Sequence, residues 1–409
     1  MGPFFKRYRS LLVLCACLLG TAIPAQPQEP PPLDLVYRIA PNYQGRQDSL
    51  HLRLWIPEVN GSATRPLVVW VHGGAFYAGS YRGMDTICKR WSERGYVAVS
   101  VQYRLGYYSP FPVDPPYAYD QAEIIRACWR ATQDVRAAWR FLADSSEAYR
   151  IDTSCIVVGG ESAGSIITLQ ALIADPSDSI PKEVAALEDV VRGFDRFPRP
   201  DLGSIDPRQA SPLPTVSLVL NRFGALLHPY MLQADDVPAL FSYHQRGDLV
   251  VSCGIARGLW GLPLDVGGKH PVFYGSCAME QLLEDAGHDA SLRSSWFVEG
   301  LGHERHAPAL VQAREFAAAD QVRCTPVMSV MPLYEDNVYS DASGWTAYDV
   351  LGRTIATGTG GLNEAARRFD SVQNAIVFVV CGERVVRFPY FTNLAFPIGS
   401  PARERTSTR

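Results

Sequence analysis

Hydrophobic positions in the first three quarters of the chain form short continuous runs, separated by amphipathic segments. A continuous apolar run is typical of a strand that is buried on both faces of a sheet. Residues 50–56 instead alternate between apolar and polar side chains, which predicts a half-exposed strand. Six continuous runs predict core strands, at residues 67–71, 96–101, 156–159, 216–220, 240–244 and 295–298.

The segments between these runs predict helices. They are expected over residues 84–94, 120–148, 162–174 and 306–320. Strands that alternate with helices predict an α/β fold, in which a mainly parallel sheet is flanked by helices on both faces.

The order of elements changes twice along the chain. Residues 176–214 are rich in Pro, Asp and Arg, and we interpret them as a cap-like insertion packed above the functional site. From about Cys324, short alternating segments and glycine turns replace the buried runs. The sequence therefore predicts an α/β domain over residues 26–323 and a small all-β domain, a β-sandwich, over residues 324–409.

The first 25 residues are typical of a secretory signal peptide. Basic residues precede an apolar run at residues 11–19, and small residues follow, with cleavage expected after Ala22 or Ala25. The run is far shorter than the roughly 20 residues that cross a bilayer, so no transmembrane segment is expected. The surroundings of Cys17 loosely resemble a lipobox, and lipid attachment there is the less favoured alternative. We expect a protein that is secreted or held at the cell surface.

Composition and charge narrow the function classes. The chain has 409 residues, is 47% hydrophobic and 20% charged, and carries a formal net charge of −4. These values are ordinary for a soluble globular protein. Because a nucleic-acid binder would present a basic face, nucleic acid is not an expected partner. No pair of cysteines has the spacing of a metal site, and we expect neither a metal nor a cofactor.

Seven of the nine cysteines lie beyond the signal segment, and an oxidising compartment permits disulfides between them. The bridges we expect are Cys253–Cys277, around one strand–helix segment, and Cys88–Cys128, between two helices that flank neighbouring strands. Cys155 lies in an apolar run and is interpreted as a small core residue.

The strongest chemical signal is the segment Gly160-Glu161-Ser162-Ala163-Gly164, between a predicted buried strand and a predicted helix. This context is the one that a nucleophile elbow requires. Small residues are needed two positions before and after the serine, because neighbouring backbone passes close to the turn. We therefore predict that Ser162 is a nucleophile.

A second signal is His72-Gly73-Gly74-Ala75-Phe76, at the end of another buried run. A tetrahedral intermediate needs backbone N–H groups aimed at its oxyanion, and glycines allow a loop to curl so that its amides point inward. The predicted donors are the amides of Gly74 and Ala75, together with that of Ala163 in the elbow.

A nucleophilic serine needs a base and an acid that orients the base. After an elbow of this kind the acid comes next along the chain and the histidine follows it. Asp248 follows a predicted core strand and is the expected acid, with Glu299 and Asp285 as weaker candidates. His303 follows the last core strand and is the expected base.

The other histidines near these strands have simpler interpretations. His306 is placed on a helix surface, and His288 precedes the last strand, at its wrong end. The ring of His72 is interpreted as a structural hydrogen-bond partner. His244 is expected to pack within the sheet.

Together these motifs resemble the hormone-sensitive-lipase and carboxylesterase-like branch of the α/β-hydrolases. The resemblance covers about residues 45–320 and rests on HGGAF, QYRL, DVRAAW, GESAG, HQRGD and GLGH. It implies a Ser162–His303–Asp248 triad and ester hydrolysis, but not the substrate class, because a large insertion lies between the elbow and the acid. The expected partner is a small-molecule or polysaccharide-linked ester substrate. A serine peptidase on the same fold and a non-catalytic hydrolase-like binding protein are the alternatives.

Two further features bear on partners. Residues 347–353, 374–380 and 384–387 are similar to the sorting domain of the Bacteroidetes type IX secretion system, which implies secretion machinery as a partner. A generic β-sandwich accessory domain is the alternative. An aromatic loop either lines a pocket for an aryl or sugar ester or packs under its own backbone, and it contains Tyr107, Tyr108, Phe111, Tyr117 and Tyr119.

Overall fold

A computed structural model describes residues 31–57, 63–206, 213–305 and 307–322, and the backbone of four strands between residues 345 and 388. Numbered along the chain, the strands are β1 (Leu33–Pro41), β2 (Gln47–Trp55), β3 (Arg65–Val71), β4 (Val97–Val101), β5 (Ile151–Glu161), β6 (Leu187–Arg192), β7 (Asp195–Arg199), β8 (Leu218–Arg222), β9 (Ala225–Leu226), β10 (Ala239–Gln245), β11 (Ile255–Arg257), β12 (Val272–Gly275), β13 (Arg293–Val298), β14 (Trp345–Tyr348), β15 (Thr354–Gly358), β16 (Val377–Cys381) and β17 (Arg384–Phe388). The α-helices are α1 (Asp85–Glu93), α2 (Gln121–Asp144), α3 (Ser146–Tyr149), α4 (Ala163–Ile173), α5 (Ser276–Asp285) and α6 (Pro308–Gln321). Short 3₁₀ helices lie at Tyr81–Met84, Lys182–Val184, Pro229–Met231, Ala234–Asp236, Val266–Lys269 and Ala290–Leu292.

The central sheet has eight strands in the order β1-β2-β4-β3-β5-β8-β10-β13. The first two strands are antiparallel to their neighbours, and every pairing from β4 to β13 is parallel. The predicted α/β fold with a mainly parallel sheet is therefore confirmed. All carboxyl ends of the parallel strands lie along one edge, which is where ligands bind in open α/β sheets.

Alternating side chains of the central strands serve two separate cores. In β3, Val69 and Val71 pack on the side of the sheet that holds α2 and α4. Val68 and Trp70 pack on the opposite side, with α1 and α6. Because both faces are covered, every residue of β3 is buried, as its continuous apolar sequence predicts.

The two cores also explain why one predicted disulfide is wrong. Cys88 lies on α1 in one core and Cys128 lies on α2 in the other, so the sheet stands between them, and both are free and buried. Cys253 and Cys277 are joined, with their Cα atoms 5.0 Å apart. Cys155 is buried in one of these cores, as its apolar run predicts, and it is disulfide-bonded as well.

The segment at residues 176–214 contains a two-stranded hairpin, β6–β7, and packs beside α2. The buried side chain of Arg126 donates hydrogen bonds to the carbonyls of Glu183, Val184, Ala185 and Pro200. Gln133, two turns further along the helix, donates to the carbonyls of Leu202 and Ser204 at 2.9 and 2.7 Å. This placement differs from the expected position above the site, because buried polar groups of α2 hold the segment at the side.

The last four strands form an antiparallel sheet in the order β15-β14-β16-β17. Most of the sorting-domain motif, from Asp349 to Arg353, lies outside the described residues. The resemblance and the boundary at residue 324 therefore stay predictions. None of the helices among the described residues is long and apolar enough to span a membrane.

Candidate active site

Ser162 lies at the turn between β5 and α4, with φ +54° and ψ −125°. A non-glycine residue with positive φ is strained, and such strain is characteristic of a nucleophile elbow. A Cβ added to Gly160 would meet the backbone of Gly164, and one added to Gly164 would meet the carbonyl of Val71. The close passage of backbone that the sequence predicts is therefore present, and it presents the serine side chain at the strand edge.

His303 lies five residues after β13 and contacts both other members of the expected triad. Its Nε2 is 2.7 Å from Oγ of Ser162, and its Nδ1 is 2.6 Å from Oδ2 of Asp248. Because a carboxylate can only accept, Nδ1 donates to Asp248, which leaves Nε2 to accept the serine proton. The ring of Phe223 packs edge-on against the imidazole, with centroids 4.7 Å apart, and limits its rotation.

Asp248 lies in the turn after β10 and is fully buried. Its Oδ1 accepts hydrogen bonds from the backbone N–H groups of Val250 and Val251, at 2.8 and 3.0 Å. Burial by itself raises the pKa of this carboxyl, but hydrogen bonds from His244 and His303 outweigh burial and lower the pKa below its usual value. The acid therefore stays ionised at neutral pH and favours a proton on Nδ1 of His303.

The glycine-rich loop after β3 lies against the serine. A Cβ on Gly73 would be 3.0 Å from the carbonyl oxygen of Glu161 and 3.2 Å from Cβ of Ser162, so a larger residue would require these neighbours to shift by a few tenths of an ångström. Gly74 and Ala75 both have positive φ, +120° and +49°, and within the described residues neither donates its amide hydrogen to another group. Ala163 contributes the first amide of α4, where the helix dipole favours negative charge. These amides are available to an oxyanion beside Ser162.

Beside the serine is an open cavity of about 570 Å³, large enough for an acyl or alcohol group of moderate size. It is lined by Gly73, Gly74, Ala75, Tyr77, Ala78, Glu161, Ser162, Phe223, Val250, His303, Glu304, Arg305 and Pro308. No described residue of the 176–214 segment lines it. Within the described part of the chain, no group of three or more His, Cys, Asp or Glu side chains is placed to hold a metal ion.

The weaker candidates lie elsewhere. The side chain of Glu299 is 88% exposed and faces Arg246, and Asp285 is exposed at the end of α5. His288 is buried against the carbonyl of Val237. His72 donates from Nδ1 to the Gly73 carbonyl, and burial lowers the pKa of its ring to about 4, so the ring is neutral.

His306 lies outside the described residues.

The contacts of the tyrosines in the aromatic loop favour the interpretation that this loop packs under its own backbone rather than lining a substrate pocket. Tyr107 and Tyr108 are buried, and their rings lie against Tyr77 and Tyr43. No residue of this loop lines the cavity.

Sequence reasoning missed a charged cluster beneath the elbow. Arg222, at the end of β8, is fully buried and binds Glu315 through two hydrogen bonds of 2.5 and 2.6 Å. It also binds Glu161, the residue before the nucleophile, at 2.7 Å. Glu161 in turn contacts Arg305 in the cavity wall at 3.3 Å. The position of Arg222 at the carboxyl end of a core strand is the one signal that could have identified it.

The sheet and the site together define a class. A mainly parallel sheet, a strained serine between its central strand and a helix, and an acid and a histidine after later strands are the features of the α/β-hydrolase fold.

The family profile BD-FAE matches residues 52–189. The chain is 31% identical over 131 residues to carboxylesterase 5A of Ovis aries, which is 32% of this chain and 32% of that protein. It is 29% identical over 134 residues to phenmedipham hydrolase of Pseudarthrobacter oxydans, which is 32% of this chain and 24% of that protein. The aligned part therefore spans about a third or less of these curated relatives.

Among solved structures, the chain is similar to esterase 2 of Thermogutta terrifontis phosphorylated by paraoxon. The TM-score is 0.44 at 14% identity, and the match covers 68% of this chain and 85% of that chain.

Proposed function

We propose that this chain is a serine hydrolase that cleaves carboxylic esters. The observation that supports this function best is the unbroken series of contacts from Oγ of Ser162 through His303 to Asp248, at 2.7 and 2.6 Å, beside an open cavity. The similarity to carboxylesterases points to the same chemistry.

The proposed mechanism is a two-step acyl transfer. Ser162 attacks the ester carbonyl while His303 takes its proton, and Asp248 stabilises the resulting imidazolium. The amides of Gly74, Ala75 and Ala163 bind the oxyanion. His303 then returns the proton to the departing alcohol. Finally His303 removes a proton from water, which attacks the acyl-enzyme, and donates that proton to the departing Oγ of Ser162 as the carboxylic acid is released.

The first test is turnover of small activated esters. The purified chain should hydrolyse p-nitrophenyl acetate and butyrate with saturation kinetics, because a cavity of about 570 Å³ admits either acyl group beside Ser162. A series of longer acyl chains, and of sugar and aryl alcohols, would then show which side of the ester the cavity selects. Turnover of peptide substrates alone would indicate the peptidase alternative, and no turnover of either kind would contradict the proposal.

We also propose that the chain is exported and that residues 324–409 direct its delivery through secretion machinery. The signal-like residues 1–25, the sorting-domain resemblance and the Cys253–Cys277 disulfide support export. Removal of residues 324–409 should leave kcat on a p-nitrophenyl ester unchanged and abolish release from the producing cell, measured by immunoblot of cells and medium. Loss of folding in the truncated chain would instead indicate that this segment is an integral part of the enzyme.

A further inference from the structure

A second histidine, His244, lies beneath the expected acid. It is on β10, is fully buried, and has its Nε2 2.8 Å from the carbonyl of Val251 and 3.4 Å from Oδ2 of Asp248. Because a backbone carbonyl can only accept, Nε2 carries a proton. The N–H is hydrogen-bonded to this carbonyl, and Nε2 also lies 3.4 Å from Oδ2 of Asp248, the carboxylate oxygen that accepts from His303.

The other nitrogen of His244 is held by a buried polar chain. Nδ1 lies 2.8 Å from Oγ of Ser276, which accepts from Nδ2 of Asn221 at 2.9 Å. The orientation of the Asn221 amide is determined, because its Oδ1 accepts the N–H of Gly224 at 3.0 Å and the hydroxyl of Ser165 at 2.6 Å. Ser165 lies in the first turn of α4. One buried chain of hydrogen bonds therefore runs from the helix that follows the nucleophile to His244, whose Nε2 lies 3.4 Å from the acid.

Ordinary core packing does not account for this arrangement. His288 provides the comparison, because it is also buried and also has its Nε2 2.8 Å from a backbone carbonyl. Its Nδ1 has no hydrogen-bond partner, and no carboxylate within hydrogen-bonding distance of its ring is found among the described residues. Both nitrogens of His244 have hydrogen-bond partners, and Nε2 also lies 3.4 Å from Oδ2 of Asp248. Burying so many polar groups is unfavourable unless they are all satisfied, and here they fix one geometry.

We propose that His244 is a positioning residue for the triad: its Nε2–H holds the Asp248 carboxylate in the orientation that receives Nδ1–H of His303. This inference rests on the proposed ester hydrolysis and assigns His244 no contact with substrate. Without His244, the contacts of the carboxylate among the described residues are the two backbone amides on Oδ1 and His303 itself, so Oδ2 loses the one contact that orients it independently of His303. Misplacement of a catalytic group by about 1 Å can cost roughly 10²-fold in rate.

The test compares three substitutions of His244 with a matched control. His244→Leu removes the donor, and His244→Asn supplies an amide too short to reach Asp248. His244→Gln places an amide N–H near the position of Nε2. His288→Leu is the control, since it also removes a buried histidine whose Nε2 meets a backbone carbonyl, but at a position outside the site. We expect kcat to fall about 10²-fold in the Leu and Asn variants, with KM unchanged. In the Gln variant kcat should be at least tenfold higher than in the Leu and Asn variants. In His288→Leu it should stay near the wild-type value.

Proton NMR gives a readout that does not depend on turnover. The hydrogen bond between His303 and Asp248 should produce a downfield Nδ1–H resonance in the wild type and in His244→Gln, and this signal should be lost in His244→Asn. If the wild type lacks esterase activity but the signal depends on His244 in this way, the proposed function fails and the positioning role stands. If Leu and Asn variants that retain the fold keep kcat within twofold of wild type, the positioning role is overturned. Should His244→Leu not fold, equal kcat values for the Asn and Gln variants overturn it as well.

Discussion

Replacement of Ser162 by alanine should abolish ester hydrolysis and leave the fold intact. Removal of the nucleophile from a comparable triad lowers kcat on the order of 10⁶-fold. The fold should tolerate the change because alanine keeps the Cβ that the elbow already accommodates at φ +54°. Among the described residues, the hydrogen bond that the side chain loses is the one to His303. The measurement is kcat on a p-nitrophenyl ester, together with circular dichroism and labelling by a fluorophosphonate probe.

Ser154→Ala is the matched control for this variant. Ser154 is on the same strand as the elbow but is exposed, and its hydroxyl donates to the carboxylate of Asp152 at 2.6 Å. The Ser154→Ala variant should hydrolyse the ester and react with the fluorophosphonate probe as the wild type does. Equal labelling of the wild type and Ser162→Ala would show that another residue is the nucleophile.

Asp248→Asn should lower kcat by about 10⁴-fold while the protein remains folded. The asparagine Oδ1 can still accept from Val250 and Val251, so the turn keeps its shape. The amide nitrogen that replaces Oδ2 is a donor and cannot accept the proton of His303 Nδ1. The histidine then takes the other tautomer, with a proton on Nε2, and cannot receive the proton of Ser162. The loss of negative charge also destabilises the imidazolium.

The two weaker acids provide matched controls. Asp285→Asn and Glu299→Gln change one carboxylate each. Both residues are exposed, and their side chains contact Gln281 and Arg246, respectively, rather than His303. Each should keep kcat within about threefold of wild type, as expected for surface substitutions with small effects. If Glu299→Gln were inactive while Asp248→Asn kept nearly normal kcat, Asp248 would not be the acid, and the acid would instead follow the last core strand.

The sequence by itself determined the features that depend on local pattern. Continuous apolar runs identified the central strands, because strands buried on both faces need apolar side chains at every position. Gly160, Ser162 and Gly164 identified the elbow, since the turn needs small residues at fixed spacing. The order of the parallel strands along the chain then limited the acid and base to residues after the last two core strands, where the structure places Asp248 and His303.

Only the tertiary structure decided which distant groups meet. Cys88 and Cys128 were expected to pair, but the sheet separates their helices, and no pattern along the chain records which face a helix covers. The 176–214 segment lies beside α2 because Arg126 and Gln133 bind its carbonyls, which are backbone groups that carry no sequence signal. The sequence predicts that His244 is an ordinary residue packed within the sheet. Its ring faces Asp248 only because β8, β10 and α5 bring Asn221, Ser276 and the acid turn around it, and such convergence of polar groups depends on the folded geometry rather than on spacing along the chain.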